Sequence, residues 1–559
     1  MGNNESSIDR QFMRSGYNNE LQNLSTPSAA QHLMMESFSV AIAWACGLPL
    51  TSRIVSVLCI TAFASLIHYV IAFERPYEGI PILETEQRGI IHKFLPDSQE
   101  WLKNCKGLLE RGLLEFPGRC FQVYSGSGYV IIVPHRFADE LRNHPSLNFN
   151  EFFMKEMHID YPGFEGPREA LKSETFIQEL VRVKLTKSLG QITDDLVEET
   201  SASTIEIWGE LAGWTDRRIK DDLLDVAARL SSRVFLGKDL CRNKAWIDIS
   251  KTYTTNLFVC ADLLTSCPIP LRPILYWVFP ECRILRKQVA TAEKLISPEV
   301  SKRVRLAERT LAGEEQPLRT FDATTWMVEC SRGRQINYVA AQLSLAMASI
   351  LTTAEMASRC LLQFCYTPEV VEPLRHEVIK VLQEDGWSKI SMYNMKLMDS
   401  FLKEVQRTQI MSYTSMARLV KKSVYLSDGT TLPANSRIMI PDNRVQDPTL
   451  YDHPDKFDAA RFVHMREVPG DENRHQFVSL SPDHMSFGYG RNACPGRFLV
   501  SNELKIMLCF FLLKYDFESA QGSAAPDLTV FETNTTVNPD LLMKIRRREP
   551  EIDLISPKA

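Results

Sequence analysis

The sequence contains no pair of cysteines at C-x-x-C spacing, although 13 cysteines are spread along its 559 residues. Their scatter indicates neither a zinc site nor a disulfide framework, and unpaired thiols fit a reducing, cytosol-facing compartment. A Gly-x-Gly-x-x-Gly fingerprint is also missing. Gly126-Ser127-Gly128 is too little for one, so no flavin or nicotinamide domain is evident. Basic charge is not in excess: 64 Lys and Arg stand against 69 Asp and Glu, a net charge of -5, which argues against a general nucleic-acid binder. Internal repeats, low-complexity blocks and interior linkers are absent as well. What remains, at 44% hydrophobic and 24% charged, is one long globular chain with a large core.

The ends differ from the body. Residues 1–36 are polar and read as a disordered tail. Residues 37–73 read as a membrane anchor with its span at residues 54–73. Ile54 to Phe73 carries no fixed charge, is interrupted only by His68, and has the length of about 20 residues that a bilayer core requires. A buried globular helix is the alternative there. Residues 74–81 hold two prolines around Gly79 and form a stiff hinge, leaving residues 82–559 as the catalytic body. Arg75, Arg88 and Lys93 after the span outweigh Arg53 before it, which favours a cytosolic body. Asn4-Glu5-Ser6 and Asn23-Leu24-Ser25 would then be lumenal glycosylation sequons.

Periodicity predicts a mainly α body with small β-sheets. Cys120–Tyr124 and Gly128–Val133 flank a turn and read as a hairpin. Helices are expected over Ile192–Leu211 and Asp221–Phe235. Another is expected over Gln335–Cys365, where Gln342, Glu355 and Arg359 mark a buried central helix rather than a second membrane span. Short strands return at Arg418–Leu426 and Arg437–Ile440, with a late hairpin between Asp516 and Arg547.

Near the C-terminus stands Phe487-Gly488-Tyr489-Gly490-Arg491-Asn492-Ala493-Cys494-Pro495-Gly496-Arg497-Phe498. The two glycines allow the backbone to fold against a flat ring where a Cβ would collide. Pro495 suits the first turn of a helix continuing through Met507, which places Cys494 at the positive end of a helix dipole and favours its thiolate. Phe487 would pack over the sulfur. Taken alone, Cys494 also reads as a buried structural cysteine. With its neighbours, the stretch suits a thiolate bonded to an iron porphyrin, and it resembles the haem-binding loop of the cytochrome P-450 superfamily, especially its fungal members.

That resemblance covers most of residues 80 to 550 and implies a cytochrome P-450 fold preceded by an N-terminal transmembrane helix, with haem b as cofactor. It makes Cys494 the axial iron ligand. Glu404, Arg407 and Arg461 match the family's structural network behind the haem, although Glu404 and Arg407 alone would read as a solvated i, i+3 pair. Arg418, and Arg182 beyond Gln178, correspond to propionate contacts; an ordinary surface arginine is the equal alternative for Arg182. Many members carry a basic residue two before the cysteine, where this chain has Asn492 beside Arg491. In Ala348-Ser349-Ile350-Leu351-Thr352-Thr353, Thr352 aligns with the hydroxyl that helps deliver protons. Ser349 stands where glycine is usual and Leu351 where an acid is usual.

By the same resemblance the chain is expected to be a monooxygenase of the endoplasmic reticulum membrane, single-pass, using dioxygen. Electrons would come from a separate NADPH-dependent reductase, with cytochrome b5 as a second candidate donor. The expected substrate is bulky and hydrophobic, a terpenoid or meroterpenoid of a fungal secondary-metabolite pathway. Leu351 leaves open an isomerase or dehydratase that needs no external oxygen, and a membrane-anchored haem sensor is the rival from another class.

Overall fold

The computed structural model describes residue 59 and residues 75–557, except 85–98, 173–175, 210, 212, 268–270, 313, 315–320, 332 and 521–527. The expected tail, the sequons and the anchor span fall outside the described residues, apart from Cys59. The body is mainly helical with small sheets, as its periodicity predicts.

In chain order the longer helices and the strands are α1 (Gln99–Glu115), β1 (Phe121–Ser125), β2 (Gly128–Ile132), β3 (Leu147–Asn148), α2 (Phe149–Met157), α3 (Glu165–Lys172) and α4 (Leu189–Trp208). There follow β4 (Thr215–Arg218), α5 (Ile219–Leu236), α6 (Lys244–Ser266), α7 (Pro280–Leu311), α8 (Ala323–Ser331) and α9 (Tyr338–Tyr366). The C-terminal part has α10 (Val371–Asp385), α11 (Lys396–Thr408), β5 (Thr414–Val420), β6 (Val424–Tyr425), β7 (Thr431–Leu432), β8 (Arg437–Pro441) and α12 (Arg497–Lys514). The last strands are β9 (Tyr515–Ser519), β10 (Leu528–Phe531), β11 (Asn534–Val537) and β12 (Leu542–Arg547).

A five-stranded sheet runs β1-β2-β8-β5-β3, and β12 lies between β4 and β9 in a smaller one. The hairpin expected at its start forms β1 and β2, with Phe121 opposite Ile132. The single strand expected over Arg418–Leu426 is instead two, because Lys421-Lys422-Ser423 turns the chain between β5 and β6. The described hinge residues, 75–81, are docked on the body. The fully buried Gln122 donates to the carbonyls of Tyr77 and Ile80 at 2.8 and 2.7 Å and accepts the Tyr77 N–H at 2.8 Å.

Helix α9 is the axle of the body. Asn337 caps it, accepting the Ala340 N–H at 3.0 Å, so the helix begins three residues later than Gln335. It packs against α3, α5, α6, α7 and α12, which explains why it is apolar nearly all round without being a membrane span. Its buried ion pair is satisfied inside the protein. Arg359 pairs with Glu355 at 2.8 Å and donates to the carbonyls of Gln409 and Thr535. Glu355 also meets Lys220 at 3.2 Å and accepts the Val537 N–H at 2.8 Å. One buried ion pair thus ties α9 to α5, to the chain after α11 and to β11.

Removing one member strands the other charge. Arg359→Leu should cost about 3–5 kcal/mol of stability, seen as a lower urea midpoint, and adding Glu355→Leu should recover part of the loss. An unchanged midpoint in the single variant would contradict this account of α9.

Candidate active site

The cysteine loop is shaped by backbone bonds before any cofactor is considered. The Cys494 N–H donates to the Phe487 carbonyl at 2.8 Å and Gly488 N–H to Met485 at 2.7 Å, closing the loop on itself. Gly488 and Gly490 have φ of +69° and +77°, values that L side chains rarely adopt. At Gly490 the protein itself also excludes a side chain: a Cβ there would lie 2.5 Å from the backbone oxygen of Arg142. The ring of Phe487 stands edge-on to Phe477, with centroids 5.2 Å apart.

Helix α12 starts at Arg497, not at Pro495, and Gly496 is its N-cap. The N–H groups of Gly496 and Arg497 turn toward the Cys494 thiol, and the first helical bond is Val500 N–H to Gly496 at 3.0 Å. Burial pushes this thiol up, while those two N–H groups and the Arg497 guanidinium pull it down. A metal at the sulfur would displace the proton outright.

Behind the loop, Glu404 in α11 is fully buried and shared by two guanidinium groups. Arg407 engages it through two bonds of 2.8 and 2.7 Å, and Arg461 through one of 3.0 Å. The arginines spend their other N–H groups on carbonyls of the meander: Arg407 on Val445 and Pro454, Arg461 on Asp452 and Lys456. This is no solvated helix pair; it fastens an irregular segment to α11.

Four arginines near the loop tell a different story. Arg418 is buried in β5, where a bulge at Met416 (φ +53°) interrupts the register, and its guanidinium meets the neighbouring Ala417 carbonyl at 2.7 Å and the face of Phe149. Burial, reinforced by the like charge of Arg491, lowers its pKa to about 10. Arg182, on the π-helical segment Leu180–Leu185, donates to the Arg491 carbonyl at 2.6 Å, and Arg491 reaches the Asn143 carbonyl. Arg497 is pushed down mainly by burial, with Arg182 adding like charge, and it donates to the Cys494 carbonyl at 2.9 Å. None of the four makes an ion pair with a described carboxylate. Converging cations without an anion beside a thiol fit an iron porphyrin, whose propionates supply two negative charges. Asn492 sits in the short turn Gly490–Asn492 within the same loop. Arg142 and Arg497 escaped sequence reasoning, because their roles depend on tertiary approach.

In α9, Ala348 and Thr352 are exposed although most of the helix is buried, so this face borders open space. The Thr352 hydroxyl donates to the carbonyls of Ala348 at 2.9 Å and Ser349 at 3.1 Å, loosening the helix there. The Ser349 hydroxyl points the other way, to Ser231 in α5 at 2.7 Å. Ser231 and Thr353 in turn approach Glu503 in α12, at 3.1 and 3.5 Å. Neither Ser231 nor Glu503 carries a signal in the sequence: Ser231 stands beside Ser232 and Arg233, and Glu503 beside Asn502 and near Lys505, as ordinary polar positions of helices.

Glu404→Ala should leave two buried guanidinium charges unpaired, at a cost of about 3–5 kcal/mol. The expected outcome is protein without haem, measured as porphyrin absorbance per polypeptide; full haem content would contradict the role of the network. Comparison with known proteins agrees with the geometry. The cytochrome P450 family model matches residues 114–545. Cytochrome P450 monooxygenase bsc2 of Alternaria brassicicola is 42% identical over 510 residues, covering 90% of this chain and 95% of that protein. Cytochrome P450 monooxygenase hepE of Aspergillus oryzae is 38% identical, covering 76% of this chain and 78% of its own length. Cytochrome P450 monooxygenase trt6 of Aspergillus terreus is 35% identical, with 78% and 88% covered. With this loop, arginines that meet no described carboxylate, and relatives of this kind, the chain belongs to the cytochrome P450 family and is a haem b-dependent monooxygenase of the fungal secondary-metabolism type.

Proposed function

We propose that this monooxygenase hydroxylates or successively oxidises a bulky, hydrophobic terpenoid or meroterpenoid. The observation that carries the reading is the exposed Ala348–Thr352 face within an otherwise buried apolar helix, with the hydroxyl of Thr352 as its polar handle. The resemblance to fungal terpenoid oxidases supplies the substrate class.

Haem, when bound, supplies the activation of dioxygen. Cys494 would hold its iron through Sγ, with the N–H groups of Gly496 and Arg497 tempering the charge on sulfur. Phe487, seated on Phe477, would shield that side from water. Arg418 and Arg491 would meet the propionates, with Asn492 as a further contact and Arg182 holding the Arg491 carbonyl in place. Glu404, Arg407 and Arg461 keep the loop from shifting. Thr352 Oγ1 would order and pass protons at the open face of α9, whereas the Ser349 hydroxyl, expected to share that work, is turned to Ser231.

Like other monooxygenases of its family, the protein draws electrons from a redox partner. A separate membrane-bound NADPH-dependent reductase is the proposed donor, with cytochrome b5 as a second. Residues 54–73 would anchor the chain in the endoplasmic reticulum membrane with its body in the cytosol.

Coexpression with a reductase and candidate terpenoid precursors, followed by mass analysis, tests the proposal. Products should carry oxygen from labelled dioxygen and require NADPH; oxidation of none of the precursors would overturn the substrate class. Cys494→Ala should abolish both product and the long-wavelength band of the reduced carbon monoxide complex. Thr352→Ala should keep that band while product formation falls by up to about 100-fold.

A further inference from the structure

The open face of α9 ends within one turn of Thr352. Ala348, Thr352, Glu355 and Arg359 follow one another at helical spacing, so they lie along one stripe of the helix. The first two are exposed and the last two are buried. Two stretches of chain cover the stripe from Glu355 onward. Arg359 donates to the carbonyls of Gln409 and Ile410, and to the carbonyl and hydroxyl of Thr535 at 2.8 and 3.0 Å. Glu355 accepts the Thr536 hydroxyl and the Val537 N–H, each at 2.8 Å. The two stretches are also joined to each other. The Thr535 N–H donates to the Met411 carbonyl at 3.0 Å, and the Tyr413 N–H to that of Thr533 at 2.7 Å. Together they make a ribbon that crosses the stripe where the open face stops.

The ribbon also passes beside the cofactor site. Residues 410–415 are all half-buried, and the same chain continues through β5 to Arg418. Ile410 and Met411 give this stretch apolar side chains. Lys220, at the start of α5, completes the hold from outside. Its Nζ donates to the Thr536 hydroxyl and, at 2.8 Å, to the Val537 carbonyl, and it meets Glu355 at 3.2 Å. Burial pushes the Glu355 carboxyl up, but Arg359, Lys220, the Val537 N–H and the Thr536 hydroxyl bring it below its usual value. The acceptor that holds the ribbon therefore stays ionised.

We propose that Lys220, Glu355 and Arg359 are positioning residues for the substrate: they latch the ribbon to α9 and so set how far the open space extends beyond Thr352. A bulky, rigid molecule resting against the ribbon presents to the reacting centre whichever carbon that depth allows. The latch thereby governs which substrates fit and where they are oxidised. Directional bonds suit this task, because the ribbon cannot slide along α9 without breaking several of them at once. Two explanations compete. The ion pair could serve stability alone, or the half-buried Thr536 could shape the space by its own bulk.

The latch rests on the reading of the Ala348–Thr352 face as the substrate side of the haem, and the test separates the two. Full-length, haem-loaded protein is titrated with imidazole and with the larger 4-phenylimidazole, both of which ligate haem iron through nitrogen and shift its absorbance. Glu355 and Arg359 stay in place because they also hold the fold. Thr536→Val keeps the shape and removes the hydroxyl, Thr536→Ser keeps the hydroxyl and removes a methyl group, and Lys220→Met removes the outer cation. At equal haem content, Thr536→Val and Lys220→Met should each bind 4-phenylimidazole about threefold or more tightly, the scale of one hydrogen bond, with imidazole unchanged. Thr536→Ser should match the unaltered protein. The reverse pattern, a change in Thr536→Ser and none in Thr536→Val, means that bulk acts directly and overturns the latch. Lower stability in Thr536→Val and Lys220→Met with unchanged affinity for both probes overturns it as well and leaves a simple cross-link. Should Thr536→Val fail to take up haem, Lys220→Met decides alone. If imidazole produces no shift in the unaltered protein, the reading of the open face fails and the latch falls with it.

Discussion

One carboxylate holds the architecture behind the site together. Glu404 accepts from Arg407 and Arg461 together, and those two arginines donate their remaining N–H groups to carbonyls of a meander that has almost no regular structure. An irregular segment cannot satisfy its own backbone, so buried carbonyls need donors from elsewhere. The arginines supply these donors only while Glu404 neutralises them. The cysteine loop follows this meander in the chain, so its position inherits that constraint.

The same logic separates structural charge from functional charge. Glu355 and Arg359 answer one another inside α9, and Glu404 answers two cations behind the loop. Arg418, Arg491, Arg182 and Arg497 converge with no described carboxylate to answer them. Positive charge left without a described carboxylate beside a thiol is prepared for an anionic ligand. In the proposed assignment, haem would provide both the metal for the sulfur and the carboxylates for the arginines.

Helix α9 serves two purposes at different points along its length. At Glu355 and Arg359 it is a rigid post, bonded on several sides to its neighbours. One to two turns earlier, Ala348 and Thr352 are exposed and the Thr352 hydroxyl competes for backbone carbonyls. Rigidity in one part allows local loosening in another without loss of the helix. The serine-to-carboxyl chain from Ser349 to Glu503 occupies that loosened stretch.

The sequence alone marked the helices α4, α5 and α9, though neither α6 nor α7, showed that α9 is buried despite its hydropathy, and singled out Cys494 as the candidate centre of the site. These features are written in local order: periodicity, charges interrupting an apolar run, and residues clustered around one cysteine. It also marked Glu404, Arg407 and Arg461 as candidates, through a resemblance in order and spacing. Tertiary structure alone decided that Gly490 is demanded by the Arg142 backbone, that α12 begins at Arg497, and that β5 ends before Lys421. It alone brought Ser231, Ser349 and Glu503 within hydrogen-bonding distance. Each of these depends on groups far apart in the chain meeting at a few ångströms, and no local pattern encodes such a meeting.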